Sequence, residues 1–487
     1  MKILKDLKEQ LHKKGIDIIN TDYYGIINMW KSWYNGNVDD FHYYNVKIAD
    51  GSTAQFERKT MSMAKKGAED MMKLLWSNKC DIKLGNDEKT KKLWKVLDSK
   101  QNNFTIMFPQ MIELAMALGT TAMTQYKDAL GRTRIEYIND ACMILPYAYD
   151  NFNITGFIVF NRWQEVEGKK VFYFTHLTYH EFKPEKDESG EYKLVYRKYN
   201  EVYKSKNPDE LGKEIDFNEV FPDVEELVEE VTDTPHFQII KPPLANNVDI
   251  DTPMGLSIFG NSIDKLKAID NKYDSFDMEF VDGKRRILVD RTALKGTPQV
   301  DENGNISQQL YFDRNDRTFV AMNGMKDQPV KDISFDLRYQ EHIDSINAEL
   351  NWYSASLGFG ESFYKIDGNG QATATEILSQ DDDAFRTKQT FEVVIKDVII
   401  DLVKSICYLE GIELSENEIQ VEFDYSRFEN QEKVQMRLER EVSRGITSKV
   451  EYRMKVYGES EDVAKMKITE IEANNPDIKT LLGTNEE

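Results

Sequence analysis

The chain has 487 residues, of which 40% are hydrophobic and 30% charged, with 24 Tyr and 25 Phe. That composition excludes a disordered or fibrous protein, and the length implies two to four domains with ample core. A formal net charge of −22 excludes a general nucleic-acid coat, which needs a basic surface to displace counterions.

The N-terminal stretch MKILKDLKEQLHKKG carries charges throughout and no apolar run, so it is not a secretory leader. Its Ile3, Leu4, Leu7 and Leu11 share one helical face, which predicts a helix docked on the protein's own body rather than on a membrane. Residues 57–78 (ERKTMSMAKKGAEDMMKLLWSN) place Met61, Met63, Ala68, Met71, Met72 and Leu75 in helical phase. Residues 105–119 (TIMFPQMIELAMALG) read as a second buried helix ending at Gly119. From about 133 to 205 the pattern changes to strands, in RIEYI, ITGFIVFNRW, KKVFYFTHLTYHEF and YKLVYRKY. Segment 216–235, DFNEVFPDVEELVEEVTDTP, is acidic and reads as an exposed, solvated insert.

The centre is the most patterned part. From Phe259, apolar residues recur at Ile263, Leu266, Ile269, Tyr273, Phe276 and Phe280, one stripe of a long helix that Gly283 ends. A strand-rich insert follows: RRILVD (285–290), the turn VDENGN, QQLYFD (308–313), the turn RND, and TFVAMN (318–323). Such turns between short β-rich runs are hairpin signals. Ile343, Ile346, Leu350, Tyr353 and Leu357 mark a second helix. After a glycine-rich loop, a third runs from about Thr373 to Leu409 on Phe391, Val394, Ile395, Val398, Ile399, Leu402 and Ile406. At about 37 residues it is roughly 55 Å long, three times the usual helix. Helices with a single stripe need neighbours. Other copies of the chain supply them economically, which predicts a homo-oligomer with helices side by side.

The last part reads as a strand, EIQVEFDYS (418–426), and a helix over 430–444 broken at Gly445. Ser448 caps a further helix, and another starts after Ser460 with Glu461 and Asp462 in its first turn. The acidic residues here favour a plain helical bundle over a DNA-reading helix-turn-helix.

The loop SFYKIDGNGQATATEI (362–377) invites a phosphate-cradle reading and fails it in detail. A Walker loop needs GxxxxGK[ST], but Lys365 precedes Gly368, and Gln371 follows Gly370. GNGQAT lacks the third glycine and the βαβ context of a dinucleotide fingerprint, and GFG at 358–360 fares no better. A mobile connector fits better: the glycines give backbone freedom, and Thr373 or Thr375 caps the next helix. Asp381, Asp382 and Asp383 span about 200° of a helix, so they form an acidic face rather than a magnesium site. His176 and His180 lie in strand-like sequence, where a spacing of four carries no zinc meaning. Cys80, Cys142 and Cys407 form no CxxC pair. No catalytic residue, metal ligand or cofactor site is predicted, and the chain reads as a non-enzyme. Asp401 and Lys404 break the apolar run DVIIDLVKSICYL, so no membrane span is predicted.

Several phrases, in their order and spacing, resemble the portal proteins of tailed bacteriophages, of the kind common in phages of Gram-positive hosts. They are IINMWKSWYNGN (26–37), RKTMSMAKKGAEDMMKLLWSN (58–78), ALGTTAMTQY (117–126) and NDACMILPYAYDNFNITGFIVF (139–160), with the rod, insert, loop and long helix of 255–410. The resemblance covers nearly the whole chain and diverges at 216–235 and at the borders of the β insert.

The resemblance implies an α+β, portal-like fold with long stem helices, a small strand-rich clip, a mixed α/β wing and a helical crown. By similarity, 1–254 is the N-terminal part of the wing, 255–282 and 336–357 the stem helices, and 283–335 the clip. The tunnel loop is 358–372, the long helix and rest of the wing 373–426, and the crown 427–487. Portals are ring homo-oligomers, typically of twelve copies, at one capsid vertex of the virion, assembled in the host bacterial cytoplasm. Their implied partners are double-stranded DNA, the terminase large subunit, a head–tail adaptor, and capsid and scaffolding proteins. The resemblance places Lys365, Ile366, Asp367, Gly368, Asn369 and Gly370 on the DNA channel. Arg285, Arg286, Arg291, Lys295, Arg314 and Arg317 form a basic cluster for clip partners or DNA, with intersubunit salt bridges as the alternative. An acidic channel wall repels phosphates and lets DNA slide, and Asp381–Asp383 are candidates for it. Two rival functions stay open: another head–tail connector or minor capsid protein, and a nucleotide-dependent enzyme using the 365–373 loop.

Overall fold

The computed structural model describes residues 2–47, 51–187, 189–222, 224–283, 286–290, 297–300, 306–309, 319–322, 330–333, 336–361, 363–366, 374–415, 417–424, 431–459 and 461–474. The chain divides into two units, Met1–Trp76 with Asp81–Val421, and Ser77–Cys80 with Glu422–Glu487.

In the first unit, α1 (Lys2–Lys13) buries Leu4, Leu7 and Leu11, as its amphipathic spacing predicts. Polar bonds tie it down at both ends: the Lys14 ammonium reaches Glu201 at 2.7 Å, and Asp6 accepts from the Leu211 amide at 2.7 Å. Helix α2 (Tyr23–Tyr34) buries Tyr23, Tyr24, Ile27, Trp30 and Trp33. A single turn, α3 (Asp39–His42), leads into a hairpin of β1 (Tyr43–Lys47) and β2 (Thr53–Glu57). The helix expected over 57–78 begins only at Met63, as α4 (Met63–Leu75). Its expected first turn is taken by β2 and by extended chain that bonds to a distant helix.

After β3 (Asp81–Lys83) come α5 (Asp87–Leu97) and α6 (Phe104–Leu118). Gly119 stops α6 at φ 84°, a conformation that favours glycine. The backbone of Gly119 crosses that of Gly255 so closely that a Cβ on either would stand within 2.2 Å of the other's carbonyl oxygen.

The β-rich region forms two antiparallel sheets. One has the order β12 (Phe237–Ile240), β4 (Thr121–Lys127), β5 (Thr133–Ile138). The other runs β10 (Lys213–Ile215), β9 (Tyr192–Ser205), β8 (Lys170–Lys186), β7 (Asn153–Glu167), β6 (Ile144–Asp150), with β11 (Leu227–Val231) also paired to β9. Segment 216–235 is largely exposed, as its acidic composition predicts, but it is anchored to the sheet rather than free of it. Phe217 in the short α7 (Phe217–Val220) is buried against Phe174 and Val202, Val220 and Phe221 pack beside it, and β11 extends the sheet. Its acidic residues sit between these anchors, and the anchors decide its position.

The centre then rises into α8 (Ile263–Asp282) and returns in α9 (Tyr339–Ser356). Between them, β13 (Arg286–Asp290) pairs parallel with β16 (Phe319–Met322) and antiparallel with β17 (Val330–Ile333). A separate hairpin joins β14 (Thr297–Val300) to β15 (Ile306–Gln309). The expected succession of hairpins from RRILVD onward gives way to this arrangement, in which RRILVD is central and its partners lie further along the chain. The 37-residue α10 (Ala374–Glu410) buries Phe391, Ile395, Val398, Ile399, Leu402, Val403 and Ile406, packing against α4, α5, β4 and β12.

The second unit holds α11 (Gln431–Ser443), α12 (Lys449–Tyr457) and α13 (Glu461–Asn474). Ser448 and Glu451 form a reciprocal capping box at the start of α12, and Gly458 closes it at φ 65°.

Candidate functional site at the helix junction

Helices α8 and α9 pack against each other, and Leu266, Ile269, Ile346, Leu350 and Tyr353 on them are buried. Polar pairs lock their register: Lys272 to Glu349 at 2.6 Å, Ser262 to Ser356 at 2.7 Å, and the Arg338 guanidinium forked on Glu279 at 3.1 and 2.7 Å. The Arg338 fork and backbone amide hold the Glu279 carboxyl down to about 2. A two-helix hairpin can bury one stripe of each member. Met278, Phe280, Val281, Tyr339 and Trp352, between 42 and 60% exposed, remain on its outside.

A second stripe of α8 is acidic and holds the extended chain before α4. Asp270 accepts from the Met61 amide at 2.9 Å, Asp274 from the Lys59 amide at 3.1 Å, and Asp277 meets the Lys59 ammonium at 2.7 Å. His42 completes this seam. Its Nδ1 accepts from the Val38 amide at 2.9 Å, which leaves Nε2–H to donate to buried Asp270 at 3.1 Å.

The loop begins where α9 ends. Gly358 and Gly360 adopt φ of 79° and 83°. Across from them, the Thr387 hydroxyl of α10 donates to the Gly358 carbonyl at 2.7 Å, and Ser354 donates to the Gly360 carbonyl at 2.6 Å. Phe359 is fully buried and stacks on Phe363 at 4.6 Å. The Tyr364 hydroxyl donates to Asp70 on α4 at 3.0 Å, whose other oxygen takes Lys66 at 2.6 Å. The Ile366 amide donates to Asn347 at 2.9 Å. Below them, Tyr353 donates to the Met63 carbonyl at 2.9 Å over Gly67, where a Cβ would stand 2.6 Å from its hydroxyl.

Residues 358–361 and 363–366 are thus clamped by α4, α9 and α10, with Gly358 and Gly360 in a tight turn and Phe359 and Tyr364 as buried anchors. Gly368 and Gly370, on which the expectation of a mobile connector rests, lie outside the described residues.

Of the loop residues singled out in the sequence, Lys365 and Ile366 are exposed at the end of the clamp. Asp367, Gly368, Asn369 and Gly370 lie outside the described residues. Asp382 and Asp383 are exposed on α10. In the basic cluster, Arg286 stands in β13 opposite Ile333, while Arg285, Arg291, Lys295, Arg314 and Arg317 lie outside the described residues. Among the described residues no group of His, Cys, Asp and Glu is arranged to hold a metal ion, and no helix is long and apolar enough to cross a membrane. His176 and His180 sit in β8 as sheet residues bonded to Asn200 and Tyr196. Sequence reasoning missed Asp70, Thr387 and Asp270, whose partners lie 29 to 294 positions away.

The model for the family of phage portal proteins, SPP1 Gp6-like, matches residues 14–477, and the chain belongs to that family. It is therefore a structural component of the phage virion.

Chains in solved particles match this one at low identity and low TM-score. In the virion of a native gene transfer agent particle, identity is 11% over 81% of this chain and 88% of that one, with a TM-score of 0.38. The neck of the empty particle, computed with C6 symmetry, gives 11%, the same coverage and 0.37. The neck of the native particle, computed with C12 symmetry, gives 10%, the same coverage and 0.34. No curated protein matched the sequence.

Proposed function

We propose that this chain forms a closed ring of about twelve copies at one capsid vertex, a symmetric assembly of the cyclic kind. The ring is a conduit for double-stranded DNA during packaging and ejection, and a docking platform for terminase and the head–tail adaptor. The family match over 14–477 carries the reading. Exposed apolar side chains on different sides of the α8–α9 pair support it, because neighbouring copies on either side would cover Met278, Phe280 and Trp352. In this reading α8 and α9 are the stem, 283–335 the clip, 358–372 the tunnel loop, 1–254 with 373–426 the wing, and 427–487 the crown. The chain works without catalysis: its clamped loop presents Lys365 and Ile366 toward passing DNA, and the basic residues around Arg286 meet partners at the clip.

Native mass spectrometry and electron microscopy of the purified chain test this. Closed rings with an axial hole are expected, and a monomer or an open fibre under assembly conditions overturns the reading. Binding of ATP that Lys365→Ala abolishes would instead favour a nucleotide-dependent enzyme.

A further inference from the structure

We propose that α11 carries a second DNA-contacting surface, a phosphate-binding face separate from the loop and the insert. Arg437, Arg440 and Arg444 follow one another at steps of three and four, so they share one side of α11 and the turn that ends it. All three are exposed. With Met436, Glu441 and Ile446 they line an open groove of about 480 Å³.

The local charge balance is positive. Residues 431–449 hold five basic residues (Lys433, Arg437, Arg440, Arg444, Lys449) against three acidic ones (Glu432, Glu439, Glu441), in a chain of net charge −22. Elsewhere in the same unit three cations are answered by carboxylates. Arg453 forks onto Glu459 at 2.8 and 3.0 Å, Lys467 bonds the same carboxylate, and Lys465 pairs with Glu461. On α11 the acids Glu439 and Glu441 are already engaged. Glu441 takes Arg437 at 3.8 Å and the Thr447 hydroxyl at 3.0 Å, while Glu439 accepts from Gln435 and Tyr452. Among the described residues, neither the Arg440 nor the Arg444 guanidinium has a carboxylate within ion-pair distance.

That arrangement fits a phosphodiester backbone. From Arg437 to Arg444 the helix advances about 10.5 Å at 1.5 Å per residue. Over that distance one DNA strand presents about three phosphates, at 3.4 Å of axis each. Arginine forks match phosphate oxygens in pairs, and Arg440 and Arg444, which have no carboxylate partner among the described residues, supply counterion release that drives such binding. An acidic protein face is the competing occupant, since Met436 and Ile446 beside the arginines are 54 and 71% exposed. The inference rests on the DNA-conduit reading only in taking DNA as the polyanion.

The test measures binding of a fluorescent DNA duplex of about 30 bp to the full-length assembled protein between about 50 and 200 mM salt. Arg437→Gln/Arg440→Gln/Arg444→Gln is expected to lower affinity about tenfold or more at low salt. It should also reduce the slope of log affinity against log salt by about 2 to 3. Lys91→Gln/Lys92→Gln/Lys95→Gln removes the same formal charge from α5 and is expected to leave the slope within about 0.5 of the parent.

Absence of DNA binding by the parent, or equal losses in both triple variants, overturns the proposal. So does a triple variant whose ring falls apart while DNA affinity per chain is unchanged, since the arginines would then face a protein. If the triple variant does not fold, Arg440→Gln alone should remove about 1 from the slope, and an unchanged slope overturns the proposal. A parent that stays monomeric yet shows the arginine-dependent slope refutes the ring and leaves this face standing.

Discussion

His180 lies fully buried in β8, stacked on Phe157 at 5.1 Å with Nδ1 bonded to the Tyr196 hydroxyl at 2.9 Å. Its Nε2 is a buried polar atom without a hydrogen-bond partner. Burial, with Lys198 and His236 nearby, holds its pKa well below the usual imidazole value; burial also lowers His176 and His236. His180 stays neutral in the folded protein, and His176 and His236 are shifted in the same direction, whereas the unfolded chain takes up protons as pH falls below about 6.5. The unfolded state then binds more protons, so stability falls with pH, by up to about 1.4 kcal/mol per unit for each imidazole. Carboxylates with lowered values, such as Glu279 and Glu459, lose their contribution only as pH falls from about 4.5 toward 2. Urea unfolding between about pH 6.5 and 5 therefore isolates the histidines. His180→Phe keeps the stack on Phe157 and should remove about 1.4 kcal/mol per pH unit from the slope. An unchanged slope would mean that His180 titrates alike in both states.

At the scale of elements, the clamp on the loop joins three helices that meet nowhere in sequence. Thr387→Val keeps the shape of the side chain and removes the bond to the Gly358 carbonyl, at a cost of about 1 to 2 kcal/mol. Hydrogen exchange should quicken through residues 357–366 while the buried stripe of α10 around Ile395 and Leu402 stays protected. Quickening along the whole of α10 would make Thr387 a helix-wide support rather than a local latch. The contrast between clamp and helices also marks what was legible in the sequence. Stripes at steps of three and four, with Gly119, Gly283 and Ser448 as stops and caps, expose α6, α8, α9, α10 and α12 because their signals are local. The pairing of Ile287 with Phe319, the bond from Tyr364 to Asp70 and the seating of Lys59 on α8 leave no local trace. Segment 216–235 is largely exposed, as its acids predict, and Phe217 and Phe221 carried the signal for the anchor that seats it on the sheet.

For the whole molecule, the clamp separates two roles that a deletion through the loop would confound. Tyr364 is 8% exposed and anchors the loop to α4, whereas the neighbouring Lys365 is exposed and lies at the limit of the clamp. Removing 364–370 would take away anchor and charge together. Point substitutions keep them apart. Tyr364→Phe loses the bond to Asp70 and should cost about 1 to 2 kcal/mol of stability in thermal melts. Lys365→Gln removes an exposed charge and should shift stability by no more than about 0.5 kcal/mol, with ring mass unchanged. If the loop borders the DNA path, each ring loses one positive contact per copy, and virions carrying Lys365→Gln should package or retain less DNA. The amount of DNA per purified particle reads this out directly. Wild-type DNA content in Lys365→Gln particles would remove Lys365 from the DNA path, and loss of rings in the same variant would make it part of the contact between copies.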